Sequence, residues 1–144
     1  MSQTARSRQV RSDDLPVGVI GAGAIGGTVA RHLRRGAVPG CRLAGVLLRR
    51  RRPQDPDAVN SIDELLSRSA LIVEAAGHQV VRELGPLILA GGADLLVVSV
   101  GALAEDGLLN RLRRSGDGRI LLSTGAIGGL DVLRAAMRCG PLKE

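Results

Sequence analysis

From Leu15 onward the sequence alternates short apolar runs with stretches whose apolar residues recur at helical spacing, and this alternation constrains the fold more than any other feature. Near-continuous apolar runs fit strands buried on both faces, the condition of a parallel sheet covered by helices. The runs occupy residues 17–20, 42–48, 71–74, 94–99 and 120–122. Between the first two, Ile25, Val29 and Leu33 recur every four residues with Arg31, Arg34 and Arg35 opposite, and Gly36 and Pro39 stop this one-faced helix. Ser61 and Glu64 have the spacing of a capping box, placing a short helix through Leu65 and Leu66. Residues 79–90 read as a helix that Pro86 should kink or split. Leu108, Leu109 and Leu112 mark a further helix, and Leu130, Leu133 and Met137 a last one. Strands alternating with helices predict an α/β fold, a doubly wound open sheet whose ligand sits beyond the carboxyl ends of the strands.

The chain has 144 residues, enough for one domain or one lobe of something larger. Residues 1–14 are polar and are expected to be a disordered basic tail, 15–125 the folded domain, and 126–144 a helix leading onward. No apolar run reaches the roughly 18 residues of a membrane span. With no secretory-type apolar segment in the tail, the expected location is the cytoplasm, where Cys41 and Cys139 stay free thiols, and two cysteines without a clustered histidine make no zinc site. Phe, Tyr and Trp are absent, so nothing bound here can stack on a ring. This weighs against nucleic acid as a partner despite the net charge of +6. That charge is nearly all arginine, concentrated at Arg6, Arg8 and Arg11, at Arg34 and Arg35, and in the run Arg49, Arg50, Arg51 and Arg52.

Gly21-Ala22-Gly23-Ala24-Ile25-Gly26 follows the first strand and opens the first helix, the place where a glycine-rich turn binds a dinucleotide. Gly21 permits the tight turn, Gly23 lets a pyrophosphate approach the backbone, and Gly26 lets helix and strand pack closely. The phosphates would meet free amides and the positive end of the helix dipole, as in a Rossmann-type dinucleotide-binding domain. At the end of the second strand, where an acid would bind the ribose hydroxyls of NAD, stand Leu48 and the arginine run. Arg49 and Arg50 are best placed to hold a 2′-phosphate, which favours NADP over NAD. A solvated loop or a weak nucleic-acid patch remain the competing readings of the run. The segment from Gly23 to Gly27 recurs from Gly125 to Gly129, which suggests two strand-to-helix turns on one sheet edge. Glu74 ends an apolar strand, where it would touch ribose or face water. Asp131 opens the last helix, where it is either a favourable charge at an amino terminus or, the less favoured reading, faces substrate. His32 lies on the arginine face of the first helix and reads as solvent-facing.

Three further segments, Val73-Glu74-Ala75-Ala76-Gly77-His78-Gln79, Val97-Val98-Ser99-Val100-Gly101-Ala102-Leu103 and Gly125-Ala126-Ile127-Gly128-Gly129-Leu130-Asp131, complete a set that resembles the L-aspartate dehydrogenases in order and approximate spacing. The resemblance implies an amino-terminal Rossmann domain followed by a substrate and dimerisation domain. It implies NAD(P)-linked oxidative deamination of L-aspartate to iminosuccinate, which hydrolyses to oxaloacetate and ammonia and feeds NAD biosynthesis in many bacteria. By position, Ser99, Gly101 and Ala102 would line the floor beneath the nicotinamide ribose, and Ala126 would offer an amide to the nicotinamide. Ala76, Gly77 and His78 would flank the cofactor at a helix start, with proton transfer by His78 the less favoured role.

The resemblance fades after Ala136, and the family's catalytic histidine and aspartate-binding side chains belong to the domain beyond. The expectation is therefore a truncated chain that keeps cofactor binding, takes L-aspartate only if a substrate domain is supplied, and self-associates through an uncovered helix face. The alternatives are a non-catalytic NADP(H)-binding module, a subunit completed by a partner chain, or an oxidoreductase like homoserine dehydrogenase or dihydrodipicolinate reductase.

Overall fold

The computed structural model describes residues 13–49 and 55–123. Strands β1 (Leu15–Ile20), β2 (Cys41–Leu47), β3 (Ala58–Val59), β4 (Leu71–Glu74), β5 (Asp94–Val97) and β6 (Ile120–Leu122) form one sheet in the order β3-β2-β1-β4-β5-β6. Every pairing is parallel. Helices α1 (Ala24–Arg34), α2 (Ile62–Leu66), α3 (His78–Ala90) and α4 (Leu108–Arg113) connect the strands, with a 3₁₀ turn at Val100–Ala104. The order reverses between β1 and β4, so the crevice at their carboxyl ends is the topological switch point where α/β sheets bind ligands.

The runs read from the sequence recur as five of these strands, and β3 is the addition. Two residues have no periodicity to read. They become a strand because Val46 and Leu47 present an open edge, against which Ala58 and Val59 align. The segment expected to run as a strand to Ser99 leaves the sheet after Val97, because Ser99 is drawn aside onto Glu74 and the chain turns into the 3₁₀ segment. The Ser61 hydroxyl caps α2 by accepting from the Glu64 amide at 3.1 Å, while the Glu64 carboxylate accepts from the Asn60 amide at 2.8 Å.

Pro86 does not split α3, which is one helix over 13 residues. An interior proline costs about 3 kcal/mol, whereas each large apolar side chain buried recovers roughly 1.5–3 kcal/mol. Val81, Ile88 and Leu89, all 0% exposed, flank it, so burial wins. Gly85 lies where an added Cβ would come within 2.7 Å of Leu112, which brings α3 and α4 together.

The sheet carries a core on each face. Ile72, Leu95 and Val97 pack with Leu65, Val81, Ile88 and Leu112 on one, and Val17, Val19, Val46 and Val73 with Ala30 and Leu33 of α1 on the other. Leu65 sits tightly over β1 and β2 because Gly18 and Gly45 leave room: added Cβ atoms there would lie 2.8 and 3.2 Å from its Cδ1. None of the described helices is long and apolar enough to cross a membrane. Residues 1–12 of the expected basic tail 1–14, Arg50, the repeated glycine segment with Ala126, Asp131, the last helix and Cys139 lie outside the described residues, while Asp14 is described and buried just before β1. Cys41 is a half-buried free thiol.

Candidate dinucleotide site

The turn from β1 into α1 is shaped by the absence of Cβ atoms. Gly21 adopts φ +95°, and an added Cβ would lie 2.7 Å from the Ala75 carbonyl oxygen. A Cβ on Gly26 would lie 2.2 Å from the Gly21 carbonyl oxygen and 3.3 Å from the Ala75 methyl, so helix, turn and neighbouring strand end touch backbone to backbone. Gly23, by contrast, has no atom of the described residues within 4 Å of its added Cβ. Helix α1 begins there with no side-chain cap and no acid in its first turn, leaving amides and dipole available to an anion. Ala24 and Ile25 are exposed, Ile25 to 56%.

Above the turn lies a cleft of about 690 Å³. Gly21 and Gly23 line it from the first turn, Leu47, Leu48 and Arg49 from the end of β2, and Ala76, Gly77 and His78 from the start of α3. Arg49 is exposed. Arg34 of α1, on the arginine face, forms ion pairs with Asp57 at 2.5 Å and Asp55 at 3.2 Å, holding the segment just after the arginine run against the helix. His32 is exposed and its Nδ1 donates to the Thr28 carbonyl at 2.8 Å, as a solvent-facing residue of α1 would. His78 is exposed, and its Nε2 lies 2.9 Å from where a Cβ on Gly101 would stand. It therefore fits against the segment after β5. Ser99, Gly101 and Ala102 are outside the cleft lining, with Ala102 buried in the core.

The residue that sequence reasoning left open is Glu74. Its carboxylate neither faces water nor lines the cleft, for it is 0% exposed at the end of β4, between Ile20 of β1 and Val97 of β5. Oε1 accepts from the amides of Ala76 and Gly77, both at 2.8 Å, and from the Ser99 hydroxyl at 3.0 Å. Oε2 accepts from the Ser99 amide at 3.1 Å. The sequence signal was present only as an acid closing an apolar run, and an acid at a strand end is more often solvated.

These features fit a dinucleotide. The cleft has the size of a ligand pocket, roughly 300–1,000 Å³. The open face at Gly23 and the uncapped α1 suit a pyrophosphate, and Leu47 and Leu48 offer an apolar wall. The fold and the turn define a nucleotide-binding domain of the doubly wound class. Residues 21–117 match the family profile described as the NAD binding domain of homoserine dehydrogenase, and the chain belongs to that family. It is 40% identical over 124 residues to an L-aspartate dehydrogenase of Archaeoglobus fulgidus, covering 83% of this chain and 50% of that one. It is 38% identical over 133 residues to an L-aspartate dehydrogenase of Bordetella bronchiseptica, with 86% and 48% covered. The crystal structure of aspartate dehydrogenase from Thermotoga maritima superposes with a TM-score of 0.62 at 25% identity, over 84% of this chain and 50% of that one. The chain spans about half the length of the curated relatives it matches.

Proposed function

We propose that this chain is the cofactor half of an NADP-preferring L-aspartate dehydrogenase, with residues 15–125 as the dinucleotide-binding unit. The observation that carries it is the cleft in which the Gly21–Gly23 turn, the uncapped start of α1 and Arg49 converge. The bound cofactor would supply a hydride acceptor. The chain's own residues bind and orient it. The α1 amides would hold the pyrophosphate, Leu47 and Leu48 would flank the adenine, and Arg49 with Arg50 would take a 2′-phosphate through charge-assisted bonds. No acid lines the cleft at the end of β2 among the described residues, which supports NADP over NAD. Ser99, Gly101 and Ala102 would support the nicotinamide side, and Ala126 would bond to it. His78 would border the cofactor rather than transfer a proton.

The relatives named L-aspartate dehydrogenase support L-aspartate as substrate over L-homoserine. Holding the substrate α-carbon against the nicotinamide, with a base in place, is a task outside this cleft. Because the chain has no Trp, Tyr or Phe, binding is followed through the fluorescence of the reduced cofactor itself. NADPH is expected to bind at least about tenfold tighter than NADH, the worth of one charge-assisted bond. The Arg49→Ala, Arg50→Ala double variant is expected to erase that ratio. Equal affinities in the parent chain, with the ratio unmoved in the variant, would overturn the NADP preference.

A further inference from the structure

A carboxylate taken wholly out of water is ordinarily paired with a cation or stripped of its charge. Glu74 is 0% exposed, and no ion pair among the described residues includes it. Its partners are three backbone amides and one hydroxyl, all at 2.8–3.1 Å and all donating. That set suits an acceptor-only carboxylate. A carboxamide would turn one NH₂ toward groups that are themselves donors.

The bonds join two separate turns. Ala76 and Gly77 lead from β4 into α3, and Ser99 follows β5, 25 residues away from Glu74. Oε1 serves both turns at once, so neither moves without losing bonds to the other.

If the adenosine half of a dinucleotide lies along β1 and β2, beside Leu48 and Arg49, the other half crosses the switch point toward the ends of β4 and β5. Glu74 lies under that end. A nicotinamide ring carries a positive charge when oxidised and none when reduced, and a buried charge is screened far less than a surface one. We propose that Glu74 is a positioning residue that locks the β4 and β5 turns together and, through a negative charge that no cation among the described residues pairs, favours the oxidised cofactor over the reduced. This rests on the dinucleotide reading above and adds to it a preference between redox states.

The test is calorimetric titration of the whole chain with NADP⁺ and with NADPH, alongside amide hydrogen exchange, for the parent, Glu74→Gln and Glu74→Asp. The Gln variant keeps size and loses charge, so the NADP⁺ to NADPH affinity ratio is expected to fall about fivefold, as for a charge acting over a nanometre or so at intermediate dielectric. Its Ala76, Gly77 and Ser99 amides are expected to exchange about tenfold faster while those of the β1 turn are unchanged. The Asp variant keeps the charge on a shorter arm and should retain the ratio while weakening both affinities. A purely structural role would shift both affinities together, so a ratio unchanged in Glu74→Gln overturns the proposal. If Glu74→Gln does not fold, an Asp variant with unaltered exchange at the three amides overturns it instead. A parent chain that binds neither form overturns the dinucleotide reading as well, whereas parent binding with an unmoved Gln ratio overturns this proposal alone.

Discussion

The two turns that meet at the switch point are built by opposite means. The β1 turn holds its shape because groups are missing: Gly21 and Gly26 leave backbone in contact with backbone. The β4 turn holds its shape because a group is present, the Glu74 carboxylate beneath Ala76 and Gly77. A turn built by omission tolerates no added atom at its contact points. One built by a shared acceptor tolerates substitution around it but not loss of the acceptor.

The largest expected effect falls on the first turn. Gly26→Ala would gain about 1 kcal/mol of helix propensity, but its methyl would meet a carbonyl oxygen at 2.2 Å, and forcing backbone apart costs about 3 kcal/mol or more. A lowered denaturation midpoint and loss of NADPH binding are expected. Gly27→Ala has the same propensity gain with its nearest contact at 3.3 Å, and should stay within about 1 kcal/mol of the parent. If both alanines behave alike in denaturant titration, steric omission is not what shapes the turn.

Removing the acceptor comes next. Glu74→Ala would strand Ala76, Gly77 and Ser99 donors in the interior, and about 2–3 kcal/mol of destabilisation is expected from denaturant unfolding, partly relieved by water entry. A smaller loss, under about 0.5 kcal/mol, would mean that the two turns stand without their common acceptor.

A third change sharpens the contrast from the other side. Gly101→Ala would bring a methyl to 2.9 Å from His78, but the obstacle is the tip of an exposed side chain, which can swing away. Stability should change by under about 1 kcal/mol while the His78 ring resonances shift in NMR spectra.

The smallest effect is expected at the opposite end of the strands, away from the cleft. There the Arg119 side chain, then its amide, hold the Asp94 carboxyl below the usual carboxylate range, against a modest opposing effect of burial. A depressed folded value means that the stabilisation is present above the unfolded value of about 3.9 and is lost as pH falls through the lower folded one. Arg119→Ala should raise the Asp94 titration midpoint toward the ordinary range in NMR. At neutral pH it should leave NADPH affinity untouched, since this pair stands at the amino ends of β5 and β6.

Legibility followed the same division. The glycine turn could be read because its condition is local: each position is restricted by atoms a few residues away or on the adjoining strand end, and spacing records that restriction. The parallel strands could be read because burial on both faces demands continuous apolar runs. Glu74 could not, because its role depends on Ser99, and nothing in the run from Leu71 to Glu74 says which loop will arrive above it. Ala58 and Val59 were missed for a related reason, since their pairing depends on the free edge of β2. Pro86 misled in the other direction, as a strong local penalty was outweighed by burial of Val81, Ile88 and Leu89.

By itself, then, the sequence determined the doubly wound architecture, the glycine turn between β1 and α1, and an arginine rather than an acid at the end of β2. These follow from periodicity and from the conformational limits of single residues. Only the tertiary structure decided that Ala58 and Val59 extend the sheet along the free edge of β2, and that Glu74 is a buried acceptor shared by two turns. Such facts arise where segments distant in the chain converge, and the free energy of burying a charge depends on what has been brought around it.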